Sequence, residues 1–457
     1  MSLLKLLNKK LNRTLFTTPT HGQSAPPFSN IQNLKTFYKW DYSEIEGYDN
    51  LLNPSGAILM AEGKASDIYN TKKTFFLTQG ATTGILAVMK TVLKQNDRVL
   101  VARNCHKSVF SGLVLTGADV DWFMPDTKSE MCTKWGIMGC INPKELQDTL
   151  KLNQYKAFIM TSPTYEGINS DIEEISKVCK SYGVILIVDE AHGALYNFSD
   201  FFPKTAIEQG ACFSVNSLHK NAGGLNQCAL LHMSKDCSYD WRDVQNAINL
   251  FHTSSPSYPL IANIEANINF LASNKGTKAI DELVLNVLKF QKELKEEGYE
   301  FLNEECADVS KLLLRLNGAD CSKLSDVLYE DYKIEDEISS EFSCLYLTGI
   351  GTEGKKLDKL KRALIDVKNK KFDKILIDEM QDKIRAPLFQ PYPLVKIKPS
   401  DAFNREYAYV SKENAPLMLS SEMIVPYPPG VGVLYPGEAI QKEHLIYLND
   451  DVGVIKL

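Results

Sequence analysis

The chain has 457 residues, 44% of them hydrophobic and 24% charged, and its 51 basic and 57 acidic side chains leave a formal net charge of −6. Such composition excludes wholesale disorder, collagen and coiled coil, and the length predicts two or three units rather than one small domain. So mild an acidity gives no general attraction to nucleic acid or to an anionic membrane.

Residues 1–70 are polar, with loop signals at Pro19, Pro26-Pro27 and Pro54-Ser-Gly56, and read as an arm with short helices. The first ten residues break their apolar stretch at Lys5 and lack a signal-peptide core. From residue 71 the pattern changes. Thr74–Thr78 is a short apolar run, followed by Gly80-Ala-Thr-Thr-Gly84 and a helical stretch to Lys94. Further strands are predicted at Arg98–Ala102, Val120–Phe123, Ala157–Thr161, Val184–Val188, Cys212–Asn216 and Ala229–Met233, with helices between several of them, such as Ile172–Tyr182. Buried strands without alternation, separated by helices, predict an α/β fold with a mostly parallel sheet covered on both faces. We expect this large domain over residues 71–310. Beyond it, Leu312–Leu316, Leu345–Leu347 and Ile375–Ile377 are strand-like runs between charged helical stretches, which predicts a smaller α+β domain over 311–457. The longest apolar runs are strand-sized and far short of a membrane span. Ten scattered cysteines with no CxxC pair suggest neither a disulfide framework nor a zinc site, and fit a reducing, cytoplasmic setting.

In a parallel sheet, ligands bind beyond the carboxyl ends of the strands. Four groups stand at such ends. Val184–Val188 runs into Asp189-Glu190-Ala191-His192, an acid poised over the crevice, although a loop carboxylate or helix cap is an equal reading. Cys212–Asn216 runs into Ser217-Leu218-His219-Lys220; a lysine desolvated there is an amine nucleophile able to form a Schiff base, and a surface lysine is the plainer reading. Gly80-Ala81-Thr82-Thr83-Gly84 sits between strand and helix, where free amides and hydroxyls hold phosphate, or simply start a helix. His106 follows Arg98–Ala102 and suits stacking on a planar ring, although such histidines are more often structural. A phosphate cradle, a stacking histidine, an acid and an amine nucleophile together are what pyridoxal 5′-phosphate (PLP) requires.

With that set in view, the chain resembles the PLP-dependent Orn/Lys/Arg decarboxylase family, in a short form without the N-terminal wing domain. The matching stretches are Asp41-Tyr-Ser-Glu-Ile-Glu-Gly-Tyr-Asp-Asn50, Gln79-Gly-Ala-Thr-Thr-Gly84, Arg103-Asn-Cys-His-Lys107, Ser162-Pro-Thr-Tyr-Glu-Gly167, Asp189-Glu-Ala-His-Gly193, Ser217-Leu-His-Lys220, Thr253-Ser-Ser-Pro-Ser-Tyr258 and Glu422-Met-Ile-Val-Pro-Tyr-Pro-Pro-Gly430. The resemblance implies the aspartate-aminotransferase fold (fold type I) and decarboxylation of arginine, lysine or ornithine to agmatine, cadaverine or putrescine, a step of polyamine biosynthesis. It implies that Lys220 is the Schiff-base lysine, Asp189 partners the pyridine nitrogen, and His106 stacks on the ring. Ala81, Thr82, Thr83, Ser217 and His219 then surround the phosphate, with Ser254 and Ser255 reaching a partner subunit's phosphate in a homodimer. His192 flanks the ring or the substrate carboxylate, and Glu422 reads the cationic tail of the substrate. His219 and Lys220 both stand as proton donors to Cα. Two stretches depart from the family pattern, Thr18-Pro19-Thr20-His21-Gly22 and Asn221-Ala-Gly-Gly-Leu225.

Competing readings are another fold-type I enzyme, an aminotransferase or lyase, with Arg385 as carboxylate clamp, and a PLP-binding paralogue without catalysis. A nucleic-acid module lacks its basic stripe, and a metal enzyme lacks ligand spacing around His219 and His232.

Overall fold

A computed structural model describes residues 2, 3, 5, 38–45, 47–377, 394–425 and 430–456. The Thr18–Gly22 stretch, Arg385 and Tyr427-Pro-Pro lie outside the described residues.

Seven strands form the large sheet: β1 (Lys73–Leu77), β2 (Arg98–Ala102), β3 (Asp119–Phe123), β4 (Ala157–Thr161), β5 (Ile185–Asp189), β6 (Phe213–Ser217) and β7 (Ala229–Met233). Their order is β1-β7-β6-β5-β4-β2-β3. From β3 to β6 the pairing is parallel, while β7 runs antiparallel to both its neighbours, β1 and β6. Both faces are buried, which explains the unalternated runs. Val99, Val101, Ile159 and Ile187 point to one core, packed under helices Ala81–Val92, Lys107–Thr116 and Trp241–Phe251. Leu100, Phe158, Met160, Leu186 and Val188 point to the other, under helices Pro143–Leu152 and Ile172–Ser181. Every even-to-odd step along a strand thus changes face without leaving the interior.

A second sheet holds β8 (Tyr299–Phe301), β9 (Lys311–Leu316), β10 (Ile338–Ser339) and β11 (Cys344–Leu347) in the antiparallel order β10-β11-β9-β8. Its first strand begins before residue 311. Helices Asn274–Glu296, Cys321–Tyr332 and Gly354–Lys370 pack with it in one apolar cluster. The run expected to be a strand at Ile375–Ile377 is not one. Leu376 makes an isolated bridge to Ala319, because a short 3₁₀ turn at Phe372–Lys374 brings it in at the edge of the helix rather than along the sheet. A third, small sheet pairs β12 (Tyr407–Ser411) with β13 (Asp451–Ile455).

Some motif residues serve the fold. The Asp49 carboxylate accepts backbone N–H bonds from Asn50, Ser55, Gly56 and Ile58 at 2.7–2.9 Å, organising the entry to the helix Ala57–Ile68. No helix among the described residues is long and apolar enough to cross a membrane. All ten cysteines are free thiols.

Candidate active site

The carboxyl ends of β2, β4, β5 and β6 and the turn after β1 converge on one cleft of about 200 Å³. Five chain-distant groups line it because parallel strands carry their C-terminal ends to the same edge.

The turn after β1 needs glycine. Gly80 has φ 81° and ψ 171°, a region essentially closed to residues with a Cβ. It turns the chain so that the helix Ala81–Val92 starts at the cleft. No side chain among the described residues caps that start, so its first amides face the cleft without a side-chain acceptor. Ala81, Thr82, Ser217 and His219 line the same end.

His106 begins the helix Lys107–Thr116 as its N-cap. Its Nδ1 accepts from the backbone N–H of Ser108 at 3.2 Å and meets the Ser108 hydroxyl at 2.9 Å. These bonds fix the plane of the ring. Burial lowers its pKa; Asp189 opposes this and Lys220 adds to it, so the imidazole is neutral near pH 7. The backbone is held from the other side by a bridge between His106 and Val431, and Val431 lines the cleft.

Asp189, 5% exposed, stands at the tip of β5 and accepts from the Ala191 N–H at 3.1 Å. Opposite it, Lys220 sits in the short helix after β6. Burial lowers the pKa of its amine, opposed by Asp189 and Glu337. Its Nζ lies 2.8 Å from His192 Nε2. His192 is buried, and its ring meets Tyr165 edge-on at 4.9 Å between centroids. Burial, then Lys311 and Lys220, hold His192 far below the usual imidazole range. His219 also lines the cleft, and burial, then Lys220, lower its pKa. Cys105, by contrast, is fully buried, and burial pushes its thiol up to about 12, so it is no nucleophile.

Thr83 does not line the cleft, and Ser254, Ser255 and Glu422, expected to act across a dimer interface, lie outside their own chain's cleft. Thr83 is buried behind the cleft, its hydroxyl turned back toward the Gln79 carbonyl at 3.5 Å, because the helix rotates it away from the turn. Ser254 and Ser255 are exposed, in a loop tied to the turn after β1 by the Thr253 N–H, which donates to Gln79 Oε1 at 2.7 Å, and by His252, whose Nε2 meets the Thr78 hydroxyl at 3.1 Å. Glu422 lies in the C-terminal region beside Tyr409, whose hydroxyl its carboxylate holds above the usual range. The other expected residues line one cleft: Ala81, Thr82, His106, Asp189, His192, Ser217, His219 and Lys220.

Several groups at the site carried no expectation. Asn104, Ser108, Thr161 and Tyr165 line the cleft, and Lys311 and Glu337 approach from the second sheet. Tyr165 lies in a stretch that the family resemblance had marked. For Lys311 and Glu337 no local signal exists, since only the packing of the second sheet on the first brings them near.

The residues fit a PLP molecule. Asn104 Oδ1, Thr161 Oγ1 and His219 Nδ1 are buried at the cleft wall without a hydrogen-bond partner, and the uncapped helix start faces them. Buried polar atoms are ordinarily satisfied, so such a concentration points to a polar ligand. An amine, a carboxylate, a ring-sized neutral imidazole and an anion-binding helix start answer the aldehyde, ring nitrogen, ring face and phosphate in turn.

The Orn/Lys/Arg decarboxylase major-domain profile matches residues 25–316, and the C-terminal-domain profile of the same enzymes matches residues 395–450. The chain is 31% identical over 454 residues to the uncharacterized protein YaaO of Bacillus subtilis, covering 96% of this chain and 91% of that one. It is 29% identical over 458 residues to an arginine decarboxylase of Bacillus anthracis, covering 97% and 91%. Among solved structures, the lysine decarboxylase LdcF of Francisella novicida superposes with a TM-score of 0.85 at 20% identity, over 99% of this chain and 80% of that one. The large-domain fold is the aspartate-aminotransferase type, shared with aminotransferases. With both of its profiles matched in order on a cleft suited to the cofactor, the chain belongs to the Orn/Lys/Arg decarboxylase family of PLP-dependent amino-acid decarboxylases.

Proposed function

We propose that the protein decarboxylates a basic amino acid, with arginine as substrate and agmatine as product, and lysine to cadaverine as the next choice. The observation that carries the reading is the convergence of Lys220, Asp189, His106 and the uncapped helix start on one cleft. The name of the Bacillus anthracis relative supports arginine.

PLP supplies, when bound, a sink for the electron pair that CO₂ leaves behind. The chain's own residues prepare for it. Lys220 would bind the aldehyde, and burial, by lowering its pKa, would favour the neutral amine this needs. Asp189 would hold a proton on the ring nitrogen, and His106, fixed by its bond to Ser108, would hold the ring plane, which is positioning rather than proton transfer. Ala81, Thr82, Ser217 and His219 hold the phosphate at the helix start. His219 and Lys220 line the cleft as candidates to supply the proton that Cα would need once CO₂ has left. A cationic substrate tail needs a carboxylate. Glu422, outside its own cleft, fits that role toward a second copy of the chain, and Ser254 and Ser255 fit it toward the partner's phosphate. A homodimer, a cytoplasmic setting and a part in polyamine formation belong to this reading.

The test is a mass-spectrometric assay of purified protein with PLP, given arginine, lysine, ornithine or a mixed amino-acid pool, with Lys220→Ala as control. An amine lighter than its parent by CO₂, absent in the control, is the expected result. Keto acids or ammonia without amine would replace the reading with an aminotransferase or lyase.

A further inference from the structure

His192 is flanked by two lysine amines. Lys220 Nζ lies 2.8 Å from Nε2, and Lys311 Nζ lies 2.5 Å from Nδ1. Lys311 comes from β9 of the second sheet and is 5% exposed. It does not line the cleft. Its amine also donates to the Tyr165 carbonyl at 3.2 Å. Both amines stand near the same Tyr165 ring, 5.7 and 5.8 Å from its centroid. The fold makes room for this lysine: a Cβ on Gly167 would meet Lys311 Cγ at 2.6 Å. A lysine buried at this depth, through a gap that only glycine leaves, is unusual for a residue that is ordinarily exposed.

Hydrogen-bond counting restricts the charge. A neutral imidazole has one N–H and one lone pair, and an ammonium group only donates. If both lysines were ammonium, one ring N–H would face a second donor. At least one of the two amines is therefore neutral whenever both contacts are made. Two arrangements satisfy the count with a single proton to share. In one, Lys220 ammonium donates to Nε2 and Nδ1–H donates to the Lys311 amine. In the other, Nε2–H donates to the Lys220 amine and Lys311 ammonium donates to Nδ1. Passing from the first to the second moves one proton off Lys220 and one onto Lys311, with the imidazole neutral on both sides.

We propose that Lys311 is a positioning residue for Lys220: through His192 it takes up the proton that Lys220 must lose to become a nucleophile, and stores it outside the cleft. The proposal rests on the reading of Lys220 as the cofactor-binding amine. Carboxylates stand near both amines. Lys220 faces Asp189 and Glu337, with the rings of His106, His192 and His219 beside it. Lys311 faces Asp308, Glu166 and Glu337, so its ammonium form has carboxylates of its own. Burial brings the Lys311 amine down to about 7, where it exchanges a proton near neutral pH.

The experiment measures Lys220 itself. The full chain, stripped of cofactor, is pulsed with a small amine-acylating reagent across pH, and modification of the Lys220 peptide is followed by mass spectrometry. In Lys311→Met the chain holds no internal acceptor and the proton leaves only to solvent, so the reactivity midpoint of Lys220 should move up by about one pH unit. In Lys311→Arg a permanent cation donates to Nδ1, keeps the proton on Nε2, and leaves the midpoint unchanged or lower. A merely structural role would move both variants alike, and an equal shift in the two, or none in Lys311→Met, overturns the proposal. Nitrogen-15 NMR of histidine-labelled wild-type chain is independent of how the variants fold: at a pH where the two amines share one proton, His192 should show Nε2–H character beside Nδ1–H, and Nδ1–H alone there also overturns it. If the midpoint moves as stated while no substrate yields an amine, the decarboxylase reading fails and this one stands. If amine forms but the midpoint stays, the reverse holds.

Discussion

His232 in β7 has both ring nitrogens engaged, Nδ1 with the Thr74 hydroxyl and Nε2 with Asn216 Oδ1, each at 2.9 Å. Asn216 in turn donates to Glu190, whose other oxygen accepts from the Ala206 N–H at 2.7 Å. This buried network supports the strand ends that carry Asp189 and Lys220, and its two titratable members pull in opposite directions. Burial lowers His232 from 6.5 to about 3, so its share of stability is present above pH 6.5 and is lost as pH falls toward 3. Burial raises Glu190 from 4.5 to about 8, so its share is present below pH 4.5 and is lost as pH rises toward 8. Between 4.5 and 6.5 the two slopes oppose. Removing the histidine with His232→Gln should tilt the balance, so that stability relative to wild type improves as pH is lowered through that window, by up to ~1.4 kcal/mol per pH unit. Urea denaturation of both proteins at several pH values measures it, and parallel curves would refute the assignment. Of this network the sequence reading singled out Glu190, in the Asp-Glu-Ala-His stretch, and weighed His232 only as a metal ligand. Asn216, the partner of Glu190, lies 26 residues on, in β6, and the sheet order makes the two neighbours.

At the scale of elements, the predicted strands of the large sheet match the structure to within a residue or so, because a strand buried on both faces leaves an unbroken apolar run. Glycines were harder to interpret. Gly84 holds the helix Ala81–Val92 against the sheet, and a Cβ there would meet Val215 Cγ1 at 2.8 Å and Leu77 Cδ1 at 2.9 Å. Gly63 lies on the exposed face of the helix Ala57–Ile68, with nothing within 4 Å of such a Cβ. The same substitution should therefore have opposite signs. Gly63→Ala should stabilise by roughly 0.5–1 kcal/mol through helix propensity. Gly84→Ala should destabilise by about 1–3 kcal/mol through overpacking and shift the helix start that faces the cleft. Denaturant midpoints read both, and a shared sign would contradict the packing argument.

On the scale of the whole molecule, the C-terminal region closes onto the loop after β2. Arg103 donates to the Gly432 and Val433 carbonyls at 2.7 and 3.0 Å and pairs with Glu438 at 3.2 Å, both side chains buried. Its guanidinium also lies 4.6 Å from the Tyr435 ring and 4.8 Å from Trp122, and Tyr435 stacks on Phe110 at 4.5 Å. Burial raises Glu438 to about 7, with Arg103 pulling against it. Arg103→Met leaves that carboxyl without its cation and frees two carbonyls, so a loss on the order of 3–5 kcal/mol is expected, and Arg103→Met with Glu438→Gln should recover part of it. Because the His106 backbone is bridged to Val431 in the same contact, the single variant should also weaken PLP binding, measured by equilibrium titration of the cofactor. Retained stability with unchanged cofactor affinity would show the contact to be incidental.

The chain's order of apolar runs and punctuating glycines determined the α/β class, the strand-end positions of Asp189, His106 and Lys220, and the turn at Gly80, since each follows from local burial or local backbone geometry. Only the tertiary structure decided what has no local signature. It closed the C-terminal segment over His106, placed Lys311 and Glu337 of the second sheet beside His192 and Tyr165, and left Glu422, Ser254 and Ser255 outside their own chain's cleft. The physical reason is separation along the chain. Lys311 and His192 are 119 residues apart, and their contact exists because the second sheet packs against the first, a fact that no window of sequence contains.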